Sequence, residues 1–185
     1  MFDSLRFILL GGRGDAAVLD KPKKAQSDHD GLVTVQGKRR AIILVASGLD
    51  TFSKTKYAQL RKISQDAGIP ILVIGTVGIY AAAMGNRLSR TEQDRLKQAE
   101  AQLNTLAVES GGALYPYAAE GDLPKLFERI NAMIRAQYNL SFNPGDTTDG
   151  QPHKIVVKVD ANGDGVYEDK TLVIQARQIY NAATK

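Results

Sequence analysis

The sequence predicts an α/β fold, in which helices flank a mostly parallel sheet and an antiparallel β extension follows at the C-terminal end. Residues 41–46 and 70–75 are continuous apolar runs rich in β-branched residues, which is typical of strands buried on both faces of a parallel sheet. Between these runs, apolar residues recur at helical spacing. After Gln137 the apolar period changes to two residues, which indicates antiparallel strands with one solvated face.

These changes of pattern divide the 185-residue chain into three parts. Residues 1–37 are predicted to supply an N-terminal strand and a polar linker that belong to the same sheet, because an apolar run at 7–10 is closed by two glycines and followed by a polar stretch. Residues 38–137 are predicted to form the α/β core. Residues 138–185 are predicted to form the antiparallel extension, with strands at its alternating segments 138–143, 154–159 and 171–176.

The first helix of the core is predicted between the two buried strands. Its apolar stripe runs from Tyr57 to Ala67, and Gly68 stands where a glycine commonly ends a helix. The second buried strand is followed by residues 75–90, which are predicted to be a loop or irregular segment because they contain Gly78 and Gly85.

The remaining helices of the core are recognised by their first residues. Ser89 and Glu92 form a capping box for a helix that ends at the glycine pair 111–112. A short strand is predicted at 113–117. Asp122 is predicted to cap the last helix, whose apolar stripe is the strongest in the chain.

Composition excludes several classes of function. The chain has 24 Lys and Arg against 20 Asp and Glu, a net charge of +4, and no basic run interleaved with aromatic residues, so no nucleic-acid partner is predicted. The absence of cysteine excludes disulfides and thiolate chemistry. No apolar run approaches the ~20 residues that cross a bilayer, and residues 1–10 do not predict a secretory signal. His29 and His153 have no neighbouring residues that would indicate a catalytic relay, so no enzyme is predicted.

Five segments of the chain match one family in order and spacing. Residues 38–51 contain a strand followed by Ser-Gly-Leu-Asp-Thr, similar to an S-D-G-x-D-T turn, and residues 69–75 match the next strand. Residues 106–115 are similar to L-A-x-x-T-G-G-x-x-[FY], residues 126–140 to a last helix with a Q-Y-x-L exit, and residues 153–180 to an appended β-hairpin. Over about three quarters of its length the chain therefore resembles the von Willebrand factor A (VWA) family, and within it the bacterial VWFA-related group.

The resemblance implies a ligand site at the C-terminal ends of the parallel strands. Many family members hold a divalent cation there through D-x-S-x-S, a threonine and an aspartate. This chain has no D-x-S-x-S, so the resemblance leads us to expect that the strand that carries it is missing at the N-terminal side, and Ser47 stands where the aspartate of S-D-G would be. Ser47, Asp50 and Thr51 remain as a degenerate metal site, with too few charged oxygens for Mg²⁺. The alternative is a turn in which Asp50 and Thr51 cap a helix beginning near Lys54.

The function predicted from the resemblance is a non-enzymatic, adhesion-type module that binds another protein; the resemblance also implies export. The binding rim is expected after the two buried strands, at residues 47–52 and 75–85. Within these segments the rim residues are expected to be Ser47, Gly48, Leu49, Asp50, Thr51, Val77, Ile79 and Tyr80. The apolar segment that follows the second strand is unusual for an exposed loop and is typical of a contact surface. The alternative is that this segment packs against a neighbouring helix.

Residues 160–169 fit either a calcium loop or a plain hairpin turn. Oxygen-bearing side chains fall at positions 1, 3, 5 and 9 of a calcium loop: Asp160, Asn162, Asp164 and Glu168. Gly165 falls at position 6, where the sharp turn requires glycine. Position 12 is Thr171 instead of a bidentate glutamate, and the flanking segments are predicted strands. Both interpretations stay open, with about millimolar affinity expected for calcium.

Two alternative functions also stay open. A small-molecule or nucleotide-binding enzyme would use the same crevice, since doubly wound sheets host many reactions. Residues 12–17 fit the letters of G-x-G-x-x-[GA], but Pro22 follows too soon for the helix that a dinucleotide site needs. The second alternative is a truncated domain without independent activity, whose exposed sheet edge would associate.

Overall fold

A computed structural model describes residues 1–12, 30–35, 39–138, 140–145, 149–167 and 172–182. The helices and strands of this part of the chain follow in the order α1 (Phe2–Leu10), β1 (Ile42–Ala46), α2 (Tyr57–Ala67), β2 (Ile71–Gly75), α3 (Val77–Met84), α4 (Arg90–Ser110), β3 (Leu114–Pro116), α5 (Leu123–Arg135), β4 (Pro152–Lys154) and β5 (Ile179–Asn181). Short 3-10 turns occupy Leu32–Thr34, Gly85–Arg87 and Glu120–Asp122. No helix of the described residues is both long enough and apolar enough to cross a membrane.

The central sheet has three parallel strands in the order β1, β2, β3. β1 pairs with β2 along its whole length, from Ile42 opposite Ile71 to Ala46 opposite Gly75. β4 and β5 form a separate antiparallel sheet. The predicted fold class, a parallel sheet flanked by helices with a C-terminal antiparallel extension, is confirmed.

Helices cover both faces of the central sheet. On one face, α1, α2 and α4 pack on alternate strand residues such as Ile71 and Val73, and this is the larger core. On the other face, α5 packs on Leu72 and Ile74 through Ile130. Because β2 lies between two strands and two helical layers, all its residues are buried, as predicted.

β1 departs from the prediction that it is buried on both faces. Ile42 and Leu44 pack into the larger core, but Ile43 and Val45, which point to the other face, are 46% and 62% exposed. The prediction was wrong for that face because the α5 layer packs on β2 and β3 and does not reach β1. The outer face of β1 is therefore an exposed apolar strip.

The predicted N-terminal strand is wrong, because residues 2–10 form α1. Phe2, Leu5 and Leu9 lie at helical spacing and are buried in the larger core, and Gly11 ends the helix with a φ of 74°. These three side chains are buried by α2 and the sheet, which are distant in the sequence. The apolar run at 7–10 therefore did not reveal by itself whether the segment is a strand or a helix. The predicted linker falls largely on residues 13–29 and 36–38, outside the described residues.

The predicted loop after β2 contains a helix, α3. Val77 is buried and packs with Leu88, which precedes α4, and with Leu96 of α4. Contact with α4 supplies the burial that stabilises the helix, because the sequence of α3 has no separate polar and apolar faces. The sequence left two interpretations of this segment open, and Val77 packs against the neighbouring helix, as the second one predicts.

The glycine stops and the capping box are confirmed. Gly68 and Gly111 end α2 and α4 in the left-handed conformation, with φ of 59° and 87°. The hydroxyl of Ser89 accepts the amide of Glu92 at 3.3 Å, and the amide of Ser89 donates to the Glu92 carboxylate at 2.8 Å. The predicted side-chain cap of Asp122 is wrong: its carboxylate accepts an amide three residues earlier, because a 3-10 turn precedes α5.

The C-terminal extension has a shorter ladder than predicted. β4 and β5 span three residues each, and the described parts of the predicted strands at 138–143, 154–159 and 171–176 lie outside them, apart from Lys154. Burial still alternates along residues 155–159. Residues 155–159 therefore keep the alternating burial of a strand. They form no ladder, because in the part of the chain that the structure describes no further strand pairs with them.

The extension docks at the N-terminal ends of β2 and β3. A Cβ added to Gly111 would stand 2.8 Å from the backbone nitrogen of Arg177, and the Arg177 guanidinium lies beside Gly68. The side-chain amide of Asn181 donates to Asp66, near the end of α2. The extension therefore lies at the end of the sheet opposite the loops that follow β1 and β2.

Candidate functional site

The loops after β1 and β2 meet at the C-terminal edge of the sheet, as the parallel arrangement predicts. The amide of Thr76 donates to the carbonyl of Ala46 at 3.0 Å, and the amide of Tyr117 donates to the carbonyl of Gly75 at 2.9 Å. Ser47 therefore lies beside the start of the second loop. The two segments in which the rim was predicted are neighbours in space.

The predicted rim residues differ in what they expose. Leu49, Thr51 and Tyr80 are exposed, whereas Ser47 and Ile79 are half-buried. These five side chains are accessible to a partner to different degrees.

Two predicted rim residues are not available for contact. Val77 is buried against α4. Gly48 is also buried, with a φ of 78°, and a Cβ added to it would stand 2.7 Å from the carbonyl oxygen of Ala99. By contrast, Phe52, which lies in the predicted rim segment 47–52 but was not singled out within it, is 94% exposed. The accessible apolar part of the rim is therefore centred on Leu49 and Phe52.

Asp50 supplies the carboxylate of the predicted rim, and its side chain is only 4% exposed. One oxygen accepts the amides of Phe52 at 3.2 Å and Ser53 at 2.9 Å. The other accepts the amide of Phe2 at 2.7 Å and the hydroxyl of Ser53 at 2.6 Å, and lies 3.0 Å from the α-amino nitrogen of Met1. Burial alone raises the pKa of Asp50, but the hydrogen bonds from Ser53 and Phe2 outweigh it and hold this pKa well below its usual value.

Asp3 makes the reciprocal contact from α1. Its two carboxylate oxygens accept the amides of Lys54 and Thr55, both at 2.8 Å, and its own amide donates to the hydroxyl of Ser53 at 3.2 Å. Hydrogen bonds from Thr55 and Lys54 lower the pKa of Asp3. We call Asp3, Asp50 and Ser53 the carboxylate clasp. It joins the first turn of α1 to the loop after β1, because carboxylates satisfy amides that a helix leaves free at its start.

The carboxylate clasp accounts for Asp50 without a metal. The predicted alternative, a cap by Asp50 and Thr51 on a helix starting near Lys54, is wrong: α2 starts at Tyr57, and Asp50 serves α1 and its own turn. Within the described residues, no cluster of three or more acidic or histidine side chains is placed to hold a metal. The degenerate metal site of Ser47, Asp50 and Thr51 remains a prediction.

A groove of about 380 Å³ runs along the outer edge of β1. Its floor is β1 with residues 47–49, and its wall is formed by Met1 together with Ser4, Leu5 and Ile8 of α1. None of the side chains that line it is ionisable. Because residues 47–49 belong to both the rim and the groove, the two form one continuous surface.

The sequence interpretation missed this groove because it predicted residues 7–10 as a strand. A helix at that place has two stripes, one buried in the core and one facing the groove. The signal for the first stripe was present in the spacing of Phe2, Leu5 and Leu9. The groove itself had no local signal, since its floor and wall are about 40 residues apart in the chain.

The loop of the predicted calcium site is held by its own side chains. Asp160 accepts the amides of Gly163 and Gly165, at 2.7 and 2.8 Å. Asn162 and Asp164 each accept the amide two residues further along the chain, at 3.1 and 2.7 Å. These three predicted ligands are therefore already bonded to amides of the loop.

The calcium and the turn interpretations remain predictions, and Glu168 and Thr171 lie outside the described residues. Calcium that bound the native state with about millimolar affinity would raise the melting midpoint by roughly 3–5 °C between EDTA and about 10 mM Ca²⁺. A plain turn leaves the midpoint unchanged. The matched control is the double variant D160N/D164N, which keeps the loop length and removes both described carboxylates; a calcium-dependent rise that persists in it would contradict the site.

The described histidine, His153, is not part of the rim. Its Nε2 lies 3.0 Å from a carboxylate oxygen of Asp149, and its ring stacks on Tyr180 with centroids 5.2 Å apart. Both strands of this sheet belong to the extension, at the opposite end of the central sheet. His29 and residues 13–17 of the glycine motif lie outside the described residues.

Comparison of the chain with protein-family models, with curated proteins and with solved structures finds no match. Function is therefore inferred from the rim, the groove and the carboxylate clasp themselves.

Proposed function

We propose that this chain is a non-enzymatic protein-binding module of the VWA type, with a degenerate metal site, whose ligand is another protein. The observation that carries the proposal is a succession of exposed apolar side chains on β1 and the loop after it: Ile43, Val45, Leu49 and Phe52. Exposed apolar surface of this kind, beside a groove, is typical of protein interaction sites. The predicted rim residues Ser47, Thr51, Ile79 and Tyr80 would surround it.

The geometry of the sheet supports the family part of this proposal. β1 and β2 are parallel, and the loops that follow them meet at one edge, both of which the resemblance requires. The hydrogen bonds that saturate Asp50 support a degenerate metal site, because a cation there would have to displace amides from both oxygens. Export remains an expectation from the resemblance.

A small-molecule enzyme at the same edge is the alternative function. The groove volume falls within the range of ligand pockets. However, the groove has no ionisable lining side chain, and Asp50, which follows its last residue, is held ionised with both oxygens occupied. General acid–base catalysis needs a group that exchanges protons near the working pH. These features support binding over catalysis.

Photo-crosslinking at position 52 tests the proposed function. Replacing Phe52 by p-benzoylphenylalanine should give one discrete protein adduct in the native host, because this side chain projects from the rim. The matched control places the same group at Phe127, an aromatic residue on α5 that is also exposed. Equal adducts from both positions, or none from position 52, would contradict the proposal.

Substitution of Leu49 tests which surface the partner contacts. Leu49→Asp should reduce the position-52 adduct at least tenfold, because a charge would be buried against an apolar partner surface. Val173→Asp is the control, since it places the same charge on an exposed apolar residue of the extension. Both variants should keep the wild-type melting midpoint; equal loss of adduct in both would point to a non-specific effect of charge.

A further inference from the structure

The outer edge of β1 presents unpaired backbone groups. The amide of Ile42 donates to the carbonyl of Pro70, and the carbonyl of Ala46 accepts the amide of Thr76, so the even-numbered residues of β1 face β2. Alternate residues of a strand direct their backbone groups to opposite edges. The amides and carbonyls of residues 43 and 45 therefore face the groove, where no strand of the described residues pairs with them.

The groove also has apolar material on both faces of the place that a further strand would occupy. On one face, the apolar side chains of Leu5 and Ile8 of α1 form the wall, beside the hydroxyl of Ser4. On the other, the exposed side chains of Ile43 and Val45 extend the sheet surface outwards. An incoming strand would thus pack its alternate side chains against α1 on one face and beside Ile43 and Val45 on the other.

The size of the groove matches a short length of single strand. A strand residue in a packed sheet occupies about 160 Å³, from its rise, the spacing between strands and the spacing between layers. The groove, at about 380 Å³, therefore holds two to three residues. The free backbone groups of residues 43 and 45 also span three residues of β1. The volume of the groove and the free hydrogen-bonding groups therefore indicate the same length of bound strand.

We propose that the partner binds this groove through an extended, uncharged segment that pairs with residues 43–45 as an additional β-strand. The inference rests on the proposed function and names the form of the ligand. Only extended backbone satisfies alternating donors and acceptors along a strand edge. None of the lining side chains is ionisable, and the α-amino group of Met1 is already paired with Asp50, so the groove offers no free partner to a charged side chain of the segment.

A second copy of this chain fits the groove less well than a single strand. If two copies joined their β1 edges across a two-fold axis normal to the sheet, both α1 helices would lie on the same side of the joined sheet. Neighbouring strands are about 4.8 Å apart, whereas a helix is about 10 Å across. Because α1 already forms the wall of the groove, the two helices would compete for the same space.

Amide exchange with a model strand tests the proposal. The probe is a soluble peptide of alternating valine and threonine with a lysine at each end. At saturation it should slow the exchange of the Ile43 and Val45 amides at least tenfold, measured by NMR, and leave the Ile42 amide, which is already bonded to Pro70, unchanged. The fully N-methylated peptide keeps the side chains but has no donors, and should protect neither amide.

Two variants of Val45 separate backbone pairing from side-chain contact. V45P removes the outward amide, and its ring is tolerated on an edge strand because β2 does not use that amide. V45T keeps the amide and the side-chain shape. V45P should abolish protection of the Ile43 amide by the peptide, whereas V45T should retain it, with both variants keeping the wild-type melting midpoint within a few degrees.

Several results would overturn the proposal. They are no protection by the parent peptide, equal protection by the N-methylated peptide, and amides of Ile43 and Val45 that are already protected in the free monomer. Sedimentation that shows a dimer whose formation protects these amides would assign the edge to a second copy instead.

Two further outcomes separate strand pairing from the proposed function. If V45P keeps the position-52 adduct at full yield, the proposed function stands and strand pairing fails. If the peptide protects the edge but position 52 yields no adduct, the proposed function fails while the strand-pairing chemistry stands.

Discussion

Gly112→Ala is expected to lower the free energy of unfolding by at least about 3 kcal/mol, a fall of roughly 10 °C in melting midpoint. Gly112 is buried just before β3, against the backbone of β2. A Cβ added there would stand 2.6 Å from the carbonyl carbon of Ile71, and closer still to its carbonyl oxygen. These are main-chain atoms of the central strand, so they cannot move aside as the end of a flexible side chain would. Urea denaturation followed by circular dichroism measures the loss.

Gly121→Ala is the matched control for this substitution. Gly121 is exposed, and a Cβ added to it would meet no atom within 4 Å. Its variant should therefore keep the wild-type free energy of unfolding within about 0.5 kcal/mol. Equal stability of the Gly112 and Gly121 variants would show that β3 does not lie as close to β2 as described.

Asp50→Asn is expected to cost about 3 kcal/mol and to loosen α1. Whichever way the new amide is turned, its NH₂ group faces donors: the amides of Phe52 and Ser53 on one side, or the amide of Phe2 and the hydroxyl of Ser53 on the other. Hydrogen exchange by mass spectrometry should show faster exchange in α1 than in α4. Asp94→Asn, the same change on the exposed surface of α4, should leave both stability and exchange as in the wild type.

The carboxylate clasp also predicts how stability depends on pH. The pKa of Asp50 is lower in the folded protein than its usual value of about 3.9, so the stability it contributes is fully present above that value and is lost as the pH falls below it. Asp3 shifts in the same direction. Between about pH 4 and pH 2.5 the wild type should therefore lose stability more steeply than Asp50→Asn. Parallel curves for the two proteins would remove Asp50 as the cause.

Local sequence patterns predicted correctly the elements whose surroundings are the same on all sides, or whose contacts are made within a few residues of the chain. The run at β2 is buried on both faces, so its composition alone indicated a central strand. The capping box of Ser89 and Glu92 and the glycine that ends α2 act within a few residues of the chain, and both were predicted correctly. The same reasoning failed for α3, which has no amphipathic pattern and depends on α4 for burial.

The candidate site was predicted only in outline. The parallel arrangement placed the rim at the right edge of the sheet, but Val77 and Gly48 are buried there by contacts with α4. Phe52 lies in the predicted segment 47–52, but the sequence did not single it out, because a single aromatic residue in a polar loop has no pattern that indicates exposure. The groove was missed because its wall comes from α1, which the apolar run at 7–10 disguised as a strand.

The class of fold, the parallel pairing of two apolar strands and most of the helices around them could be predicted from the chain alone, since these follow from periodicity and from residues adjacent in the chain. The open face of β1, the helix at residues 2–10 and the bonds from Asp50 to that helix became visible once the packed elements were seen together. The physical reason is distance along the chain: the amide of Phe2 and the carboxylate of Asp50 are 48 residues apart, and those of Thr55 and Asp3 are 52 apart. Such contacts depend on how packed elements meet, and no local pattern of residues encodes them.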